Sequence, residues 1–168
     1  MILGVVLAGG RSSRFGSNKA NAMLDGRALI EHARSALAPY VDRTLLVGGE
    51  RGDIPDLPHT DMGPLGGIAG ALDYAADHGF ASVITIACDM PRLPGGLLAA
   101  LAARVASYCP EAPVLGHWPT AVGAQLLAHI EAFPGWSVRR WAQTIDAWPI
   151  SSEQPIPNVN TPADLAAL

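Results

Sequence analysis

Charge is scarce in this chain: 11 Lys and Arg against 15 Asp and Glu leave a net charge of −4 over 168 residues. Neutralising nucleic-acid phosphates needs a basic face, so nucleic acid is excluded as a partner, although a local basic pocket is not. Cysteine is scarcer still. Cys88 and Cys109 are the only two, without CxxC or zinc-like spacing, and they read as reduced, buried thiols. The histidines (His32, His59, His78, His117, His129) show no i, i+4 pairing, which removes the usual zinc pattern. No G-x-S-x-G elbow of a serine hydrolase is present. No apolar run reaches the roughly 18 residues that a membrane span needs. The opening MILGVVLAGG has no basic region before its short apolar stretch, so it reads as a core strand and not a secretion signal. The expectation is a cytoplasmic protein that does not engage a membrane.

Apolar residues are plentiful, at 49%, and the 18 glycines and 14 prolines fall between apolar runs, as turns of a compact fold do. Ile2 to Leu7 is a continuous aliphatic run, suited to a strand buried on both faces. Asp25-Gly26 marks a turn, and Leu29, Ile30, Ala33 and Leu37 keep helical spacing up to Pro39. Thr44 to Val47 is expected as a strand, Gly66 to His78 as a helix, Ser82 to Ala87 as a central strand and Leu97 to Val105 as a helix. This alternation predicts an α/β fold on a mostly parallel sheet. In the last third, short strands are expected at Val114 to Gly116 and Ala121-Val122, flanking Trp118-Pro119. Helices follow at Gln125–Ala132 and Val138–Gln143, then a strand near Ile145–Trp148. Thr161-Pro162-Ala163-Asp164 reads as a helix start, with a threonine cap, proline in the first position and an acid in the third. The four tryptophans, clustered late, read as core or rim packing. With no repeat, charge block or linker, residues 1–168 are expected to form one domain.

Four motifs can carry chemistry. Leu7 to Lys19, LAGGRSSRFGSNK, follows the first strand. Gly9, Gly10 and Gly16 allow close backbone approach to an anion, while Arg11, Arg14 and Lys19 bring positive charge. Ser17-Asn18 separate Lys19 from the last glycine, so this is not a Walker A loop, and it is not G-x-G-x-x-G. Cys88-Asp89-Met90-Pro91 ends the central strand. Asp89 is suited to Mg2+, a hard cation that takes one or two carboxylates plus substrate phosphates. Asp61-Met62-Gly63-Pro64-Leu65-Gly66-Gly67-Ile68 is a glycine-rich helix entry whose N–H groups can meet phosphate or a base edge. Asn158-Val159-Asn160-Thr161-Pro162 brings amides to the last helix, to contact a ligand or to shape the turn.

In order, LAGG-x-S-x-R-F-G-x-x-K, Asp-Gly before the first helix, GPLGGI, CDMP, Pro119-Thr120 and NVNTPADL resemble the molybdenum cofactor guanylyltransferases over nearly the whole chain. The resemblance implies a Rossmann-like three-layer α/β/α fold of the nucleotide-diphospho-sugar transferase type. It implies transfer of GMP from GTP to molybdopterin with release of pyrophosphate, assisted by Mg2+. By this likeness Leu7, Ala8, Gly9, Gly10 and Lys19 form the GTP loop, Gly48 and Asp61 touch the nucleotide, and Asp89 serves nucleotide and metal. Asn160 supplies a second group near the metal. Catalysis would rest on Lys19, Arg14 and Asp89. Transient contact with proteins that deliver the cofactor is implied too, as is a monomer or small homo-oligomer.

The chain departs from the family at Asn18, where aspartate is usual, and at Gly48, where asparagine is. Its spacer between Asp61 and Gly63 is one residue, and Ala112 to Pro119 looks trimmed. Guanine preference and acceptor identity therefore stay open. The alternatives are a cytidylyltransferase, a sugar-phosphate nucleotidyltransferase, or a nucleotide-binding module without catalysis.

Overall fold

The computed structural model describes residues 1–8, 19–48 and 52–168. Strand β1 (Ile2–Leu7) leads, past Lys19–Asn21, into a small hairpin of β2 (Met23–Leu24) and β3 (Arg27–Ala28). Its turn is Asp25-Gly26, both at positive φ (50° and 76°). Helix α1 (Leu29–Leu37), β4 (Arg43–Val47), α2 (Gly63–Asp77), β5 (Ser82–Ala87) and α3 (Leu97–Ala102) follow. The chain then forms β6 (Ser107–Cys109), β7 (Ala112–Pro119), α4 (Gly123–Ala132), α5 (Val138–Thr144), β8 (Trp148–Pro149) and α6 (Pro162–Ala166).

The main sheet has the order β4-β1-β5-β7-β6-β8. β1 is parallel to both β4 and β5, β7 is antiparallel to β5 and β6, and β8 is parallel to β6, so β7 alone runs against the rest. Alternate side chains of β1 and β5 feed two apolar layers, as a strand with period two requires. Leu3, Val5, Leu7 and Val83 pack with Ile68 and Leu72 of α2, Leu126 of α4 and Trp141 of α5. Val6, Ile84 and Ile86 pack with Ala33 and Leu37 of α1 and Leu98 and Leu101 of α3. Helices thus cover both faces of the sheet, giving three layers.

Several boundaries differ from expectation. α2 starts at Gly63, three residues before the expected Gly66: Gly63, at φ 70°, turns the chain into the helix, and Pro64 suits a first helical turn. α3 stops at Ala102 rather than at Val105, ahead of Ala106 at φ 57°. The two short strands expected around Trp118-Pro119 are instead one eight-residue strand, and Ala121-Val122 belongs to a 3-10 turn. Proline is tolerated at a strand end, where Pro119 lies. β7 also gains hydrogen bonds from the core: Trp118 Nε1 donates to Thr85 Oγ1 at 2.9 Å, which donates to the Val114 carbonyl at 2.6 Å. The strand expected near Ile145 begins only at Trp148, after Asp146 at φ 51°. Trp118 and Trp141 are fully buried against each other, 4.8 Å between centroids, while the exposed Trp148 lies under Arg104.

Candidate active site at the strand ends

Parallel strands that end at one edge leave their next residues facing a common crevice. Here the ladder runs one step past the strands: Ala8 N–H donates to the Val47 carbonyl at 2.9 Å and Cys88 N–H to the Leu7 carbonyl at 3.1 Å. Gly48, at φ 74°, turns the chain after β4 and donates to the Ile54 carbonyl at 3.1 Å. Leu7, Ala8, Gly48 and Asp89 are therefore neighbours at this edge, as the motifs predicted. Leu7 is itself buried under α2, so it offers the crevice backbone and not side chain. Gly9, Gly10 and Arg14 lie outside the described residues.

Three expected site residues converge. Lys19 Nζ lies 2.9 Å from Asp89 Oδ2 and donates to Asn160 Oδ1 at 3.0 Å. Each arrives by a different local device. Lys19 opens a 3-10 turn closed by Ala22 N–H on the Lys19 carbonyl, at 3.1 Å. Asp89 is the second residue past β5, and its carbonyl accepts Val159 N–H at 2.9 Å, which stitches the last segment to the strand end. Asn160 precedes α6, where Thr161 and Asp164 form a reciprocal capping box, as the sequence motif foretold. The Lys19 and Asp89 side chains are 16% and 20% exposed, so this ion pair is partly shielded and open to a ligand. The other carboxylate oxygen, Asp89 Oδ1, is buried and has no hydrogen-bond partner among the described residues. A carboxylate with one orphaned oxygen, and an amide oxygen that shares the Lys19 ammonium with it, form an all-oxygen donor set that fits a hard cation such as Mg2+. Among the described residues no group of three or more His, Cys, Asp or Glu could hold a metal by itself.

The thiol next door is held protonated. Burial first, and then the charge of Asp89, pushes Cys88 up to about 11. Cys109 is raised as well, chiefly by burial, and both cysteines are free.

Asp61 is not brought to the Lys19 cluster by any described contact. It is exposed, in a left-handed turn at φ 62°, and its backbone N–H favours the ionised form of the Asp56 carboxyl. Asp56 is a second acid at this helix entry, one that the motifs did not single out. It is half-buried, and its carboxyl is pushed upward, first by burial and then by the charge of Asp61. A Cβ on Gly67 would lie 2.9 Å from Leu7 Cδ2, 3.3 Å from Val47 Cγ1 and 3.6 Å from Asp56 Oδ1. The glycine thus lets the first turns of α2 settle on the ends of β1 and β4, with Asp56 alongside. The signal available in the sequence was Pro55 and Pro58 bracketing this acid, a rigid presentation in a loop.

The family described as a MobA-like NTP transferase domain matches residues 4–148. The chain is 35% identical to the molybdenum cofactor guanylyltransferase of Rhizobium leguminosarum bv. trifolii, over 98% of this chain and 90% of that protein. Its fold matches the crystal structure of molybdopterin-guanine dinucleotide biosynthesis protein A from Archaeoglobus fulgidus, with a TM-score of 0.69 at 23% identity, covering 99% and 96% of the two chains. It also matches a 2-C-methyl-D-erythritol 4-phosphate cytidylyltransferase from Thermus thermophilus, with a TM-score of 0.64 at 15% identity, covering 97% and 95%. The latter two share the fold of this chain.

Proposed function

We infer the chemistry of this chain from its kinship: it belongs to the MobA-like NTP transferase family. It is a nucleotidyltransferase of molybdenum cofactor biosynthesis that uses GTP, moving GMP to molybdopterin and releasing pyrophosphate. A terminal phosphate oxygen of the acceptor attacks the α-phosphorus of GTP, and pyrophosphate leaves in line. That oxygen is ionised at neutral pH, so no side chain need remove a proton. The protein's part is positioning and charge neutralisation.

The convergence of Lys19, Asp89 and Asn160, drawn from both ends and the middle of the chain, is the observation that carries the assignment of roles. Lys19 and Arg14 hold the triphosphate, with Gly9 and Gly10 of the first loop. Asp89 and Asn160 are the protein groups that would hold Mg2+, which when bound supplies charge neutralisation at the reacting phosphate. Leu7, Ala8 and Gly48 form the floor beneath the nucleoside. Asp56, settled against the first turns of α2, faces the nucleotide, and Asp61 shapes the turn that holds it there. Residues 1–168 act as one transferase domain, in transient contact with the proteins that deliver the cofactor. No described helix is long and apolar enough to cross a membrane. The free, buried cysteines and the nature of the substrates support work in the cytoplasm.

The test is pyrophosphate release from GTP, CTP, ATP and UTP with molybdopterin as acceptor. GTP is expected to lead by tenfold or more, because a base edge that leaves polar groups unpaired costs about 1–3 kcal/mol. Equal turnover with CTP would overturn the guanylyl assignment and leave the transferase fold standing.

A further inference from the structure

We propose that the ammonium of Lys19 guards the metal position, so that a divalent cation binds this protein only together with the nucleotide. The proposal rests on the nucleotidyltransferase reading and adds to it an order of binding. Lys19 Nζ sits between Asp89 Oδ2, at 2.9 Å, and Asn160 Oδ1, at 3.0 Å. These are the same two side chains that would hold Mg2+. A Mg2+ ion needs oxygen ligands at about 2.0–2.1 Å, and an ammonium already bonded to both side chains leaves it facing a like charge at close range. The free protein is thus neutralised from within.

The protein's own donors are also too few to displace that ammonium. Asp89 offers one carboxylate and Asn160 one neutral amide, and no cluster of three or more metal-binding side chains exists among the described residues. A triphosphate changes both sides of the balance. It brings oxygen ligands for the metal, and it brings a denser negative charge that draws Lys19 away from Asp89. Only the side chain need move. The Lys19 backbone is held by Ala22 N–H, at 3.1 Å, while the four-carbon stem carries a freely rotating ammonium. Asp89 Oδ1, buried and without a hydrogen-bond partner among the described residues, leaves the carboxylate short of a second partner, which a metal brought in with the triphosphate would supply. Nucleotide and metal are then coupled, and each raises the affinity for the other by the same factor.

The test measures Mn2+ binding by electron paramagnetic resonance, without turnover, in the parent and in Lys19→Met, with and without a non-hydrolysable α,β-methylene analogue of GTP. Lys19→Met keeps the stem and removes the ammonium. Arg92→Met is the control for loss of a nearby positive charge, since Arg92 pairs with Asp25 at 2.8 Å rather than with Asp89. The parent is expected to bind Mn2+ weakly alone and at least tenfold more tightly with the analogue. Lys19→Met is expected to bind Mn2+ alone at least tenfold more tightly than the parent, with Arg92→Met within twofold of it. An unchanged Mn2+ affinity in Lys19→Met, or an equal gain in Arg92→Met, overturns the proposal. Failure of the parent to bind the GTP analogue at any Mn2+ concentration instead overturns the nucleotide reading, and the nucleotide-free comparison of the variants still decides whether Lys19 occupies the metal position.

Discussion

Asp164 Oδ2 accepts the backbone N–H of Asn160 at 2.8 Å, so the residue whose side chain meets Lys19 is held through its backbone by an acid four residues on. The same oxygen accepts Thr161 N–H at 2.7 Å. These bonds hold the Asp164 carboxyl below its usual value of 3.8. A depressed carboxyl contributes stability above its unfolded pKa that is lost as pH falls through the folded one. Asp164→Asn is expected to flatten the acid limb of the melting curve below about pH 4. It should also lower kcat/KM by roughly tenfold, as small misplacements of positioning groups do. In an Asn160→Ala background the substitution should add no further loss of activity. A full additive loss there would show that Asp164 does not act through Asn160.

Asp89→Asn keeps size and removes charge. The variant is expected to melt like the parent and to release pyrophosphate roughly a hundredfold or more slowly, because preorganised electrostatic groups carry effects of that order. Raised Mg2+ or Mn2+ should restore part of the rate. Normal turnover in a folded variant would reduce Asp89 to a turn residue.

Asp56→Asn separates the two acids ahead of α2. Burial raises the Asp56 carboxyl, so its ionised form is disfavoured in the fold, and that cost grows as pH rises through the ordinary carboxylate range. At pH 7 the variant should be at least as stable as the parent, while its GTP affinity falls by about tenfold, the effect of a single lost hydrogen bond of about 1.4 kcal/mol. Asp61→Asn should change GTP affinity by less. Isothermal titration with GTP ranks the two, and a larger loss at Asp61 would reverse the assignment.

Gly70 faces the Pro55 carbonyl so closely that any Cβ must displace backbone. Gly70→Ala is expected to cost about 1–3 kcal/mol in a denaturant titration, despite alanine's better helix propensity. Gly95→Ala, where nothing lies within 4 Å, should be neutral to within about 0.5 kcal/mol.

Thr85→Val tests the core without touching the site. It strands the buried Trp118 Nε1–H and one bond of the Val114 carbonyl, at a cost of about 1–3 kcal/mol. Turnover per folded molecule should be unchanged at temperatures where the variant is folded. A large drop in kcat would mean that β7 shapes the acceptor side of the crevice.

What could be read from the residues in order was whatever local physics dictates. Ile2 to Leu7 and Ser82 to Ala87 announced buried strands because an unbroken apolar run has no solvent face to show. Thr161, Pro162 and Asp164 announced a helix start because a capping box is closed within four residues. The motifs also named Lys19 and Asp89 from their neighbours, and the family likeness pointed to Asn160. Their meeting, across up to 141 residues of chain, was decided by the sheet order and by the Val159 bond to the end of β5. The length of β7 was likewise a tertiary matter, because the Thr85 hydroxyl that secures it lies on another strand. So was the place of Asp56: only the close packing of Gly67 on Leu7 and Val47 sets that acid alongside the first turns of α2. Propensity and capping act within a turn or two of the chain, whereas burial and charge depend on what the folded chain brings from elsewhere.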